Sequence, residues 1–176
     1  MSDFKLPVCV SFNMPVAPAG ISAFLVKVLE EIGRYITIPD KLKSRIKLIL
    51  TELCTNFIKH VKTNDGKIDL EIGEESMLIT KRYKENAFKE IIERKINIDK
   101  VGEIVEIFFS ETNNHYVKIC EGNKLLFLNP IELGLYTDVL KDHFGLHILT
   151  LASNNFLYEY NHKTKEDCFT LHVEYV

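Results

Sequence analysis

The stretch 50–60, "LTELCTNFIKH", decides how this chain is read. It lies within a longer helical pattern, "IPDKLKSRIKLILTELCTNFIKHVKTNDG". There Leu42, Ile46, Ile49, Leu50, Leu53, Phe57 and Val61 recur at helical spacing between a Pro-Asp start and an Asp65-Gly66 turn. With Glu52 set at zero and about 100° per residue, Asn56 falls at roughly 40° and Lys59 at roughly −20°. The apolar side chains fill the arc from roughly 60° to 180°. Glu52 and Asn56 therefore sit on the border of the buried stripe, half desolvated. A carboxylate there can act as a general base, and an amide oxygen can ligate a hard cation such as Mg²⁺. Every amphipathic helix has a polar border, so on spacing alone the pair reads as solvated decoration. His60 falls inside the apolar arc and reads as a hydrogen-bonded core histidine.

Working outward, "PVCVSFN" (7–13) alternates Val8, Val10 and Phe12 as a half-buried strand does. Ile21, Phe24, Leu25, Val28, Leu29 and Ile32 then mark an amphipathic helix that stops at Gly33. "KIDLEI" and "SMLITKRY" form a hairpin pattern joined near Gly73 and Glu74, and "AFKEIIERKINI" reads as a short helix. "GEIVEIFFSETNNHYVKICEGNKLLFL" predicts a three-stranded meander with turns at Asn113-Asn114 and Gly122-Asn123 and an exposed tip at "ETNNHY". "PIELGLYTDVLKDHFGLHILTLASNN" reads as helix in two pieces broken near Gly145. A closing hairpin puts Phe169, Leu171, Val173 and Tyr175 on one face. This order predicts an α+β, two-layer sandwich: a mixed, mostly antiparallel sheet with helices packed on one face.

The 176 residues suit a single domain, 1–176, with 46% hydrophobic and 27% charged residues. A net charge of −3 supplies no basic field for nucleic acid or a membrane surface. No signal-peptide pattern or membrane-length apolar run is present, and the expectation is a cytoplasmic protein. Cys9, Cys54, Cys120 and Cys168 form no C-x-x-C pair and read as buried small residues rather than metal ligands or disulfides.

"LTELCTNFIKH" resembles the N-box of the GHKL ATPases, the Bergerat or histidine-kinase-like ATPase fold. It is most similar to the branch of the anti-sigma-factor serine kinases, with its E-x-x-x-N-x-x-K-H pattern. The strand–helix–Pro link–N-box order agrees, and "DHFGLHILTLASNNFLYEY" resembles the second glycine box with its following helix and strand. The resemblance covers about 7–88 and 142–176. It implies that Glu52 activates an attacking water or hydroxyl and that Asn56 holds Mg²⁺ against the phosphates of ATP. Lys59 would lie near the phosphates, and Gly145 would open a helix whose free N–H groups receive them. It further implies phosphoryl transfer to a serine of a regulatory protein partner, a sigma-factor or anti-sigma-antagonist type of protein. Homodimers are common in that branch.

The departures are specific. The first glycine box, whose aspartate reads the adenine amino group, falls on "KRYKENAF" (81–88). Tyr83 and Lys84 stand at the aspartate, Glu85 replaces the glycine, and Phe88 alone fits. A second register on "ICEGN" keeps Gly122 and offers Glu121 but disrupts the strand spacing. The second glycine box retains only Gly145, flanked by His143, Phe144 and His147. Residues 89–141 are longer than the usual connection and read as an insertion or remodelled lid. Two functions are therefore expected: an ATP- and Mg²⁺-binding serine/threonine kinase relative, or a non-catalytic module that binds a protein through the insertion. His143 and His147, four apart, are a weaker zinc candidate, lacking the glutamate of H-E-x-x-H.

Overall fold

The computed structural model of the chain describes residues 7–85, 87–110, 113–134 and 145–175. Within them the elements follow in the order β1 (Val8–Asn13), a 3₁₀ turn (Pro18–Gly20), α1 (Ile21–Ile32), α2 (Asp40–His60), β2 (Lys67–Ile72), β3 (Ser76–Tyr83), α3 (Ala87–Lys95), β4 (Ile104–Ser110), β5 (Asn113–Cys120), β6 (Lys124–Leu128), α4 (Gly145–Ala152), β7 (Asn155–Asn161) and β8 (Glu166–Glu174). The strands form one open sheet in the order β1-β2-β3-β8-β7-β6-β5-β4.

All neighbouring pairs in this sheet are antiparallel, whereas the sequence led us to expect a mixed sheet. At β1 and β2 the reason lies in the connection. One crossover helix would bring the chain back to run parallel. Two helices in succession, α1 and α2, return it to the end it left, so β2 runs against β1.

Side-chain parity assigns the two faces. Phe12, Ile68, Leu70, Ile72, Met77 and Ile79 turn inward, as do Leu171, Val173, Phe156, Phe127, Val117 and Ile107 across the remaining strands. Registers such as Leu70↔Ile79, Ile79↔Leu171 and Phe127↔Phe156 keep the inward residues in rows. The alternate positions, among them Cys9, Glu71, Lys118 and Phe108, face outward and are not covered to the same degree. Against the inward face lie Phe24, Val28, Leu29 and Ile32 of α1 and Leu42, Ile46, Ile49, Leu50, Leu53 and Phe57 of α2. Burying that many large side chains, each contributing about 1.5 to 3 kcal/mol, is what holds α2 in place.

The described part of the 89–141 stretch does not hang off the fold. It supplies most of α3 and then β4, β5 and β6, which extend the same sheet past β7. The turn at Gly122 and Asn123 is as expected, with both residues at positive φ (72° and 59°). Asn113 and Asn114 belong to β5 rather than to a turn, and His115, expected at an exposed tip, is 2% exposed. Cys54 and Cys168 are buried, but Cys9 is exposed because its position in β1 faces outward. The helical reading of 135–144, with His143 and Phe144, lies outside the described residues. No helix among those described is long and apolar enough to cross a membrane.

Candidate functional site

Three of the residues singled out in the sequence come together where α2 meets α4. Gly145 is the first residue of α4, and its backbone lies directly on the polar border of α2. A Cβ at Gly145 would stand 2.9 Å from Asn56 Nδ2, 3.0 Å from Asn56 Oδ1 and 3.2 Å from Glu52 Oε2. Only glycine lets the helix start approach that closely without displacing a side chain. Glu52 and Asn56 are both half-buried, as their angular position on α2 implies.

This arrangement has a structural logic of its own. The carboxylate of Glu52 faces the positive end of the α4 dipole. At the other end of α4, Arg45, two turns earlier on α2, donates from Nε to the Ala152 carbonyl at 2.5 Å. It also donates to Asn154 Oδ1 at 2.6 Å and to the Glu174 carbonyl at 3.1 Å. So α2 presents an acid to the start of α4 and a cation to its end. The sequence reading missed Arg45, which looks like one more exposed charge on an amphipathic helix.

Lys59 is exposed at the end of α2, on the same border as Glu52. His60 is exposed too, against the expectation of a core histidine. Phe57 is the last buried residue of α2; beyond it Ile58 and Val61 are only partly covered. Just after α2, the Lys62 N–H donates to Glu85 Oε2 at 3.2 Å, tying the helix exit to the end of β3.

Beneath α2 and beside this junction, the inward face of the sheet is lined with rings. Tyr83, expected at the position of an adenine-reading aspartate, is 4% exposed and packs against Phe57 and Phe169 at centroid distances of 6.1 and 6.2 Å. Phe88 of α3 enters edge-on between Tyr158 (4.7 Å) and Phe169 (4.9 Å) and lies face to face with Phe109 (5.7 Å). Phe109 touches His115, which stacks on His147 of α4 at 4.0 Å. A continuous run of rings thus connects the start of α3 to the first turns of α4. Burial pushes the His115 imidazole down to about 3, helped by His147, and burial also lowers His147 against the opposing effect of the Asn114 backbone. Two neutral stacked imidazoles fill space here. Among the described residues, no three His, Cys, Asp or Glu side chains gather to hold a metal ion.

A second group of polar residues went unnoticed in the sequence. Lys81 (5% exposed) and Asp167 (0%) both point inward at the ends of β3 and β8. The register sets Asp167 opposite Tyr83 and Lys81 opposite Phe169. Asp167 Oδ1 accepts a hydrogen bond from the Tyr158 hydroxyl at 2.6 Å. The N–H groups of Phe88 and Lys89 in the first turn of α3 favour the ionised carboxylate, as do Tyr158 and Lys81. Burial outweighs them and pushes the Asp167 carboxyl up to about 6. Burial likewise pushes the Lys81 amine down to about 8, with Asp167 and Cys54 opposing, and its Nζ sits 4.4 Å above the Phe169 ring. Strand parity carries the signal for both residues, since each interrupts an otherwise apolar inward series.

The fit to Mg²⁺-ATP differs between the two ends of such a ligand. At the α2–α4 junction an amide, a carboxylate, a glycine and a helix N-terminus converge, a donor set suited to phosphate and a hard cation. At Phe88, the one residue that fits the expected first glycine box, the rings of Phe109, Tyr158 and Phe169 pack closely. Two shallow depressions, of about 510 and 260 Å³, occur along residues 93–98 and on the outward face of β1–β3, and neither is lined by Glu52, Asn56 or Gly145. No protein-family model matches this chain, and no curated protein matches it in sequence.

Proposed function

We propose that this chain is an ATP-binding domain of the histidine-kinase-like, Bergerat type, similar to the anti-sigma-factor serine/threonine kinases that regulate a partner protein. One observation supports this reading above the others: Glu52 and Asn56 of one motif meet Gly145 of the other, as the resemblance requires of residues far apart in the chain.

The residues divide the work as follows. The Asn56 amide oxygen would hold Mg²⁺, which would supply neutralisation of phosphate charge during transfer. Glu52, on the same border, is placed to take a proton from an attacking water or serine hydroxyl. Gly145, without a side chain, would let a phosphate approach the start of α4 once the Asn56 amide turned toward the metal, and the helix dipole would favour an anion there. Lys59 adds an exposed positive charge at the end of the same helix. The receiving partner is a regulatory protein of the sigma-factor or antagonist kind, and a second copy of the chain is the natural further partner.

The packed rings beneath the junction favour a second reading, a non-catalytic module of the same scaffold that binds a protein through residues 89–141. Calorimetric titration of Mg²⁺-ATP into the wild type and into Asn56→Ala decides between them. Binding at micromolar to low-millimolar levels that Asn56→Ala abolishes supports the ATP reading; absence of binding to the wild type leaves the module.

A further inference from the structure

The outward face of the sheet changes character across its width. On β1, β2, β3 and β8 its positions are small or polar, among them Ser11, Asp69, Glu71, Thr80, Arg82 and Thr170. Leu78 is the one large apolar side chain there among the described residues. These polar groups satisfy one another: Arg82 pairs with Asp69 and Glu166, and the Thr80 and Thr170 hydroxyls lie 3.1 Å apart. On β4 to β7 the same face is apolar. Strand register places Ile104, Phe108, Tyr116, Leu126, Leu128 and Leu157 on it, with Leu126 opposite Leu157 and Leu128 opposite Tyr116. Ile104 and Phe108 are 52% and 51% exposed.

The helices α1 to α4 all pack against the other face, where Phe88 of α3 meets Phe169 and His147 of α4 stacks on His115. A sheet face left to water normally carries polar side chains, as the first group of strands does here. A contiguous apolar patch with a polar surround marks an interaction surface instead. Two charges lie inside this patch. Glu106 stands opposite Tyr116, which puts Lys118, two residues along β5, diagonal to it at about 7 to 8 Å. One anion beside one cation makes the patch complementary to itself, as a two-fold interface between identical surfaces requires. A strongly acidic or strongly basic partner would meet one of the two as a like charge.

We propose that the outward face of β4 to β7 is a self-association surface, on which two copies of the chain pack sheet to sheet about a two-fold axis. The axis runs between the two charges, so that Lys118 of each copy lies over Glu106 of the other. The sheets then stack about 10 Å apart, as in a β-sandwich. Four strands at about 4.8 Å and six residues at about 3.3 Å make a face about 20 Å on each side. That is small for a protein interface, so the association is of micromolar rather than nanomolar strength. It holds whether or not the α2–α4 junction takes a nucleotide.

The test is sedimentation equilibrium of the whole chain from about 1 to 500 µM, a range that brackets such an affinity. The expected result is a reversible monomer–dimer equilibrium. Lys118→Glu and Glu106→Lys each weaken it by about tenfold or more, because each sets like charges against one another. Mixing these two variants in equal amounts restores dimers, which only a contact between copies can do, and restoration shows that both are folded. Ile104→Ser, which leaves both charges in place, weakens dimers as well. Leu78→Ser, on the polar part of the same face, leaves them unchanged. A monomer at every concentration overturns the proposal, as do dimers that none of these substitutions weakens. Single variants that dissociate but whose mixture stays monomeric overturn the placement of Lys118 over Glu106.

Discussion

Gly145 and Asn56 are packed so closely that a single methyl group at Gly145 would collide with both ends of the Asn56 amide, at 2.9 and 3.0 Å. Gly145→Ala should therefore be destabilising despite the better helix propensity of alanine, by about 1 to 2 kcal/mol once the propensity gain is set against overpacking. The crowding atoms belong to a side chain that can be removed. In Gly145→Ala/Asn56→Ala the two losses should not add, with a coupling of about 1 kcal/mol in thermal unfolding. Simple additivity would mean that α4 shifts away rather than meeting Asn56.

Arg45 holds the opposite end of α4 through the Ala152 carbonyl, and also reaches Asn154 just after α4 and the Glu174 carbonyl at the end of β8. Charge-assisted hydrogen bonds of this kind contribute about 1.5 to 3 kcal/mol where partly buried. Arg45→Ala should lower the unfolding free energy by about 2 kcal/mol in urea titration. Arg45→Lys should recover less than half of it, because an ammonium cannot present the planar fork that meets three acceptors. Full recovery by lysine would show that charge alone matters here.

Much of this was legible in the sequence, for reasons that also mark the boundary. Helical spacing located α1 and α2, and strand alternation located β1 to β3 and the closing hairpin, because each element buries one face and is periodic along it. Periodicity does not carry strand order. That Tyr83 lies opposite Asp167 depends on β8 inserting beside β3, which no local pattern encodes. The parity of "SMLITKRY" does place Lys81 inward with Met77, Ile79 and Tyr83, and the parity of β8 does the same for Asp167; reading both would have flagged the buried pair. His60 shows the reverse failure. Its angle falls within the apolar arc, but beyond Phe57 the arc is only partly covered and His60 is exposed.

The exit from α2 rests on a second close approach. A Cβ at Gly66 would come 2.4 Å from both Cε2 and Cζ of Phe57, a ring that is 2% exposed and contacts Tyr83. Unlike Asn56, this neighbour is a rigid group deep in the core. Gly66→Ala should be destabilising by about 3 kcal/mol in chemical unfolding, and Phe57→Leu should partly relieve it. A loss under about 0.5 kcal/mol would mean that the 61–66 segment moves freely with respect to α2.

Asp167 and Lys81 set opposite pH dependences, and the signs follow from proton uptake. The Asp167 carboxyl is raised from 3.8 to about 6, so the folded state holds its proton more tightly than the unfolded chain. Its contribution is fully present below about pH 4 and is lost as pH rises through 6. The Lys81 amine is lowered from 10.5 to about 8, so its contribution is present above about pH 10.5 and is lost as pH falls through 8. Tyr158, Tyr83 and Cys54, all pushed up by burial, remain neutral neighbours across the acid limb. Urea midpoints of the wild type should carry a falling component between pH 4 and 6, with a slope of up to about 1.4 kcal/mol per pH unit. Asp167→Asn should remove it, and Lys81→Met, by withdrawing the cation that favours the carboxylate, should extend it to higher pH. An unchanged acid limb in Asp167→Asn would assign the titration to another group.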